Sequence, residues 1–207
     1  MNAGFSSLTK LKAQLLASSL RAATQYDDLI LSIGRGVAKQ FEHECNRKFE
    51  RQVGATDIFQ GDRASFILSR YPIERITAID LQKDVDDGWQ SQDLTLIQSY
   101  NSQSGVVYLA DNDDAGPYWS QVRFTYTGGY WWDTSEDDSG VQPDGSALLH
   151  DDMILAWHIQ CRHIWNLTDK LGIAITDKPQ SQDGEKKIEM LGIVKDLIND
   201  QVRYQLT

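Results

Sequence analysis

Cysteine, proline and histidine are scarce in this sequence of 207 residues, and no apolar run approaches the ~18 residues a membrane span needs. The two cysteines, Cys45 and Cys161, are far apart and match no metal or redox spacing. They fit free thiols in a reducing compartment, with a single disulfide left open. The N-terminus, MNAGFSSLTKLKAQLL, lacks the long apolar core of a secretory signal. The expectation is a chain made in the cytosol. Among the four histidines, His158 and His163 are five apart, which does not stack two ligands on one helical face. His150 before Asp151 and Asp152 suggests the start of a capped helix more than a metal site, and His43 between Glu42 and Glu44 fits a solvated helical surface.

Recognised catalytic patterns are missing too. No nucleophile elbow, zinc-protease helix, paired-cysteine motif, phosphate loop or dinucleotide fingerprint is present. Asp111-Asn112-Asp113-Asp114 has the composition of a calcium loop without its glycine or its distant glutamate. With thirty acids in the chain, a carboxylate pair at glycosidase spacing carries no information. No catalytic, cofactor-binding or metal-ligating residue is expected.

What is present is enough for a core. The hydrophobic fraction is 41% and the charged fraction 24%, the balance of a folded chain of one domain or one domain with extensions. The formal charge of −10 is unevenly spread. Residues 1–52 carry +3, residues 53–152 carry −13, and residues 153–207 are neutral. An acidic middle argues against a surface that grips phosphate. It suits either a solubilising loop surface or one that DNA passes without sticking.

The periodicities divide the chain into helical ends and a β middle. Residues 6–22 read as a helix capped by Ser6 or Ser7, with Leu8, Leu11 and Leu15 at helical spacing. A stronger helix spans 27–48, opened by Asp27 and Asp28 and striped by Ile30, Ile33, Val37, Phe41 and Cys45. Gly34 and Gly36 weaken it, and are either tolerated or needed for close packing. Strands are expected at 64–69, 73–82, 93–98, 105–110 and 119–127, the last with clear alternation of Val122, Phe124 and Tyr126. Short connections rich in Gly, Asn and Asp favour antiparallel pairing. Residues 131–147 form an acidic loop, followed by a helix over 147–168 that is apolar on more than one face. A polar linker at 176–184 precedes an amphipathic helix at 185–204, striped by Ile188, Leu191, Val194 or Lys195, Ile198 and Val202. That helix either folds back on its own core or docks in a partner's groove. The fold class is α+β: a helical body from the two ends, with a central antiparallel β region inserted between them.

The tryptophans allow one binding hypothesis. Trp131 and Trp132, with Trp89 and Trp119, would form a sugar-stacking platform if exposed, although tryptophan at strand ends is more often core or interface.

Three segments occur in a telling order. The helix from Asp27 ends in Asn46-Arg47-Lys48-Phe49, a strand follows with Tyr71-Pro72-Ile73 through Ile76 and Ile79, and a later strand runs from Val122 to Gly128-Gly129-Tyr130. In this order, over residues 24–168, the chain resembles the head–tail connector (adaptor) proteins of tailed bacteriophages. It departs from them in the length of the 131–147 loop and in the extension after 172. The resemblance implies a virion protein with no catalytic task and no cofactor. It implies a homo-oligomeric ring, dodecameric by family pattern, beneath the portal protein, extending the DNA channel and offering a platform to a tail or tail-completion protein. DNA would pass without specific binding, and no membrane is involved.

The resemblance divides the chain into a connector domain over 1–175 and a linker with C-terminal helix over 176–207, the latter a portal-docking extension. Ile188, Leu191, Ile198 and Val202 are the candidate docking residues. Channel-facing acids are expected within 84–87, 111–114 or 133–138, with Asp84, Asp86, Asp87, Asp111, Asp113 and Asp114 as the candidates. The competing reading is a carbohydrate- or receptor-binding module built on exposed tryptophans; a small acid-dependent hydrolase is the remaining alternative.

Overall fold

In the computed structural model the described residues are 1–61, 63–84, 86, 88–110, 121–132, 141–170 and 189–202. They are α+β, with N-terminal helices, central antiparallel sheets and C-terminal helices. The chain divides into two units, one of Met1–Asn46, Trp132–Gly140 and Leu149–Thr207, the other of Arg47–Trp131 and Val141–Leu148.

The first unit is helical. Helix α1 covers Leu8–Leu15, and the Ser7 side chain accepts a hydrogen bond from the Lys10 amide at 3.3 Å, satisfying one of the free donors of its first turn. The helix expected over 6–22 is therefore shorter: it ends at Leu15, and a 3-10 turn at Ser18–Leu20 follows. Helix α2 covers Asp27–Glu44. Tyr26 occupies its capping position, while Asp27 and Asp28 lie in the first turn, where negative charge suits the helix dipole. Asp27 also receives the Lys12 ammonium at 2.5 Å, tying α1 to α2. The expected stripe of Ile30, Ile33, Val37, Phe41 and Cys45 is buried throughout. Burying each large apolar side chain of this kind is worth about 1.5–3 kcal/mol.

Helix α3 covers Asp151–Lys170 and packs against α1 and α2. Its buried residues Met153, Ala156, Trp157, Gln160, Cys161 and Ile164 follow helical spacing on one side. Ile154, Ile159 and Trp165 are half-buried beside that stripe, Trp165 packing edge-on to Tyr26, while Leu155 is exposed. Trp157 is the centre of the unit. Its indole Nε1 donates to the Gly34 carbonyl at 2.9 Å, and Phe5 packs near it with a 6.1 Å ring separation. A Cβ on Gly34 would lie 2.1 Å from the Ala3 carbonyl oxygen and 2.8 Å from Leu11 Cδ2. Gly36 faces open space. Only the first of the two helical glycines therefore serves close packing.

The second unit is built of strands. Strands β1 (Gln52–Gln60), β3 (Ile73–Gln82), β4 (Gln90–Gln92) and β7 (Gln121–Gly128) form an antiparallel sheet in the order β1-β7-β3-β4. Strands β2 (Ser65–Ile67), β5 (Ile97–Asn101) and β6 (Val106–Leu109) form a second, ordered β2-β6-β5. The two enclose a core that includes Phe66, Leu68, Ile79, Leu81, Phe124 and Tyr126. The alternation of Val122, Phe124 and Tyr126 places all three in this core.

Two expected elements differ. Residues 93–98 do not make one strand, because the Asp93 carboxylate accepts from the Thr95 amide at 2.8 Å and closes a 3-10 turn at Leu94–Leu96 before β5 begins. Residues 147–148 are not helical. They form β9 (Ala147–Leu148), paired in parallel with β8 (Tyr130–Trp131).

Candidate functional site

The three segments that carry the sequence resemblance meet at one side chain, in the β unit. Arg47 is buried, and its guanidinium lies over the Tyr71 ring at 3.3 Å from the centroid, with the Phe49 and Tyr130 rings at 4.9 and 5.3 Å. Its Nη2 donates to the Tyr71 carbonyl. The backbones interlock around it. The Lys48 amide donates to Ser69 at 2.8 Å, the Tyr130 amide to Phe49 at 2.7 Å, and the Gly129 amide to Pro72 at 2.9 Å. Gly129 has φ 100°, and a Cβ there would stand 2.6 Å from the Glu50 carbonyl oxygen. Only glycine fits that crossing without strain. A buried cation stacked on aromatic faces is strongly held, and arginine does this better than lysine because its charge is planar and weakly hydrated. These positions are thus a structural rivet rather than a contact surface.

Two further polar clusters brace the same unit. Arg51 bonds Glu74 in a two-pronged pair at 2.5 and 2.9 Å. The Asp57 carboxylate accepts from the Ser69 amide at 2.6 Å, the Ser69 hydroxyl at 2.8 Å and the Tyr126 hydroxyl at 2.8 Å. Burial, with the Asp57 charge second, pushes the Tyr126 phenol well above its ordinary value. The Asp57 and Glu74 oxygens are taken up by hydrogen bonds within the unit, so both clusters brace it.

Of the acids expected to face a channel, Asp84 and Asp86 follow β3 and are exposed. Asp87, Asp111, Asp113 and Asp114 lie outside the described residues, as do residues 133–138. Among the described residues no cluster of His, Cys, Asp or Glu is arranged to hold a metal, and no helix is long and apolar enough to cross a membrane.

The C-terminal stripe divides in two. Helix α4 covers Gly192–Ile198, shorter than the expected 185–204, and packs on α3. Val194 is fully buried and Ile198 is 2% exposed. Gln160 of α3 fixes the approach, its Nε2 donating to the Glu189 carbonyl at 3.2 Å while its Oε1 accepts from the Leu191 amide at 3.0 Å. Ile198 is therefore occupied by the chain's own helical unit. Leu191 and Val202 are half-buried, Ile193 is 58% exposed, and Ile188 lies outside the described residues.

The tryptophan platform is overturned. Trp131 and Trp132 are only 9% and 6% exposed. Trp131 belongs to β8, and Trp132 packs edge-on to Phe5 at 5.5 Å. Trp89 lies over the Arg123 guanidinium, 4.4 Å from ring to carbon, where Arg123 also pairs with Asp80 at 2.9 Å. Trp119 lies outside the described residues. Bulky aromatics at strand ends went to the core, as their area favours.

Sequence reasoning missed β1 as an element. Val53 and Ile58 on it are 58% and 54% exposed, and one edge of the strand has no neighbour within the sheet. Alternating Ala55, Asp57 and Phe59 give the signal, but Gly54 and the register shift between Gln52 and Ala55 obscure it.

No family model and no characterised sequence matches the chain at a significant level. Solved structures do. A chain in the neck of an empty GTA particle computed with C6 symmetry aligns with TM-score 0.57 at 13% identity, covering 97% of this chain and 90% of that one. A chain in the virion of a native gene transfer agent (GTA) particle aligns at 0.57 and 12%, with the same coverage. A third, in the neck of a native GTA particle computed with C12 symmetry, aligns at 0.51 and 11%, covering 95% and 92%. The protein shares its fold, over nearly its full length, with chains of phage-like particles.

Proposed function

We propose that this chain is a structural subunit of a head–tail connector ring in the neck of a phage-like particle. The ring lies beneath the portal, extends the DNA channel and carries the platform to which the tail attaches. The observation that carries this reading is the fold shared over 97% of the chain with a GTA neck chain. The ordered segments around Arg47, Tyr71 and Tyr130 support it independently. The related necks were computed with C6 and C12 symmetry, and a ring of twelve copies is compatible with both.

In this role the chain performs no catalysis. Its contacts are with further copies of itself, with the portal and with a tail or tail-completion protein. Asp84 and Asp86, with Asp87, Asp111, Asp113 and Asp114, are the proposed channel-facing acids; they repel phosphate and let DNA slide without the salt-dependent grip of a basic wall. The C-terminal segment is the proposed portal handle through Ile188, Leu191 and Val202, while Ile198 anchors that segment to its own unit. Heads assembled without this chain should package DNA yet carry no tails. Normal tailed particles in its absence would overturn the proposal.

A further inference from the structure

Among the described residues the two sheets have four edge strands; β2 and β4 are three residues each, and β1 and β5 are the longer ones. At one end is β1, nine residues long, first in the four-stranded sheet and, among the described strands, paired only with β7. At the other is β5, last in the three-stranded sheet and, among the described strands, paired only with β6. Contacts between the sheets set these edges at opposite ends of the unit. The Phe59 ring of β1 lies 5.4 Å from Phe66 of β2. The far strand β5 runs into Ser102, whose carbonyl accepts from the Ile73 amide at 2.9 Å, beside β3.

Natural sheets guard such edges with charge, proline or brevity. Among the described residues neither β1 nor β5 contains a proline, and neither is as short as β2 or β4. The only charged residue of β1 is Asp57, and its carboxylate is turned onto Ser69 and Tyr126. The outward positions include Val53, Thr56, Ile58 and Gln60. Strand β5, Ile97–Asn101, has no charged residue and is mostly exposed. Apart from Gln52, these two strands lie within residues 53–152, the stretch that carries −13, so like-charge repulsion opposes contact through much of the rest of that stretch. The β1 and β5 edges are the longest on which two copies could meet without bringing like charges together.

We infer that neighbouring copies join edge to edge, the open side of β1 in one copy pairing with the open side of β5 in the next. This rests on the ring reading above and names its contact. Different edges at opposite ends make the contact head-to-tail, the kind that closes into a ring by rotation. Main-chain hydrogen bonds supply the affinity, as in other strand additions.

The test uses two full-length variants, Val53→Lys with Ile58→Lys on β1, and Gln98→Lys with Ser99→Lys on β5. All four positions are exposed, so circular dichroism and melting temperature should match the unaltered chain. Where the unaltered chain forms rings, alone or on portal, each variant alone should remain at the 23.4 kDa of one copy. An equimolar mixture should stop at a heterodimer, since one good edge of each kind remains. Rings formed normally by either variant would overturn the edge contact and leave the ring reading standing. So would a β1 variant that forms rings but fails to hold tail protein, because the edge would then belong to that partner. Failure of the unaltered chain to form rings in any setting would instead remove the ring reading itself.

Discussion

The guanidinium of Arg47 lies 3.3 Å from the centroid of the Tyr71 ring, and this one stacking joins segments 24 residues apart in the chain. Phe49 and Tyr130 complete the enclosure. The residues that carry the sequence resemblance are therefore ones that tie segments of the β unit together.

Replacing Arg47 with Ala should destabilise the protein by about 2–4 kcal/mol, since it removes a desolvated cation–π contact and a buried hydrogen bond. Arg47→Lys should recover only part, because an ammonium cannot lie flat on the ring. Denaturant unfolding of the three proteins checks the order.

Gly34 and Gly36 should respond in opposite ways to alanine. Gly34→Ala forces a Cβ to 2.1 Å from a backbone oxygen and should cost several kcal/mol by overpacking. Gly36→Ala meets nothing and should be neutral or stabilise by up to about 1 kcal/mol through helix propensity. Thermal melts of the two variants decide this.

The sequence showed helix α2 and strand β7 clearly, because an unbroken period of 3.6 or 2 ran through residues such as Ile30–Phe41 and Val122–Tyr126. It showed β5 poorly, because the Asp93 side chain diverts the backbone into a 3-10 turn, a choice made by one hydrogen bond. It could not show that Arg47 is interior, since arginine usually marks a surface and two of the three rings around it, Tyr71 and Tyr130, come from remote segments. For the same reason the fate of Trp132 depended on Phe5, more than a hundred residues away. The docking stripe was legible as an amphipathic pattern, but pattern alone does not say whether a chain's own helix or a partner takes the apolar face.

That distinction gives a prediction for the C-terminal segment. Ile198→Asp should destabilise the folded chain by about 3–5 kcal/mol, because it buries an unpaired carboxylate and removes core volume. Ile193→Asp, on the exposed side of α4, should change stability by less than about 0.5 kcal/mol. Chemical denaturation separates the two.

Stability should also fall in mild acid through His158. Burial holds its imidazole below the ordinary value of 6.5, and Nε2 is buried without a hydrogen-bond partner among the described residues. The unfolded chain binds this proton more readily than the folded one, so stability falls as pH drops below about 6.5 and levels off beneath the folded-state value. In His158→Gln that part of the pH dependence should disappear, as read from melting temperature between pH 7.5 and 5.

The central claim is a closed ring in a particle neck. Native mass measurement with electron microscopy, on the full chain alone and on the chain mixed with portal, tests it most directly. The account predicts ring particles of uniform size with an open axial channel, formed in solution or on the portal. A chain that remains a single 23.4 kDa copy under both conditions would contradict it.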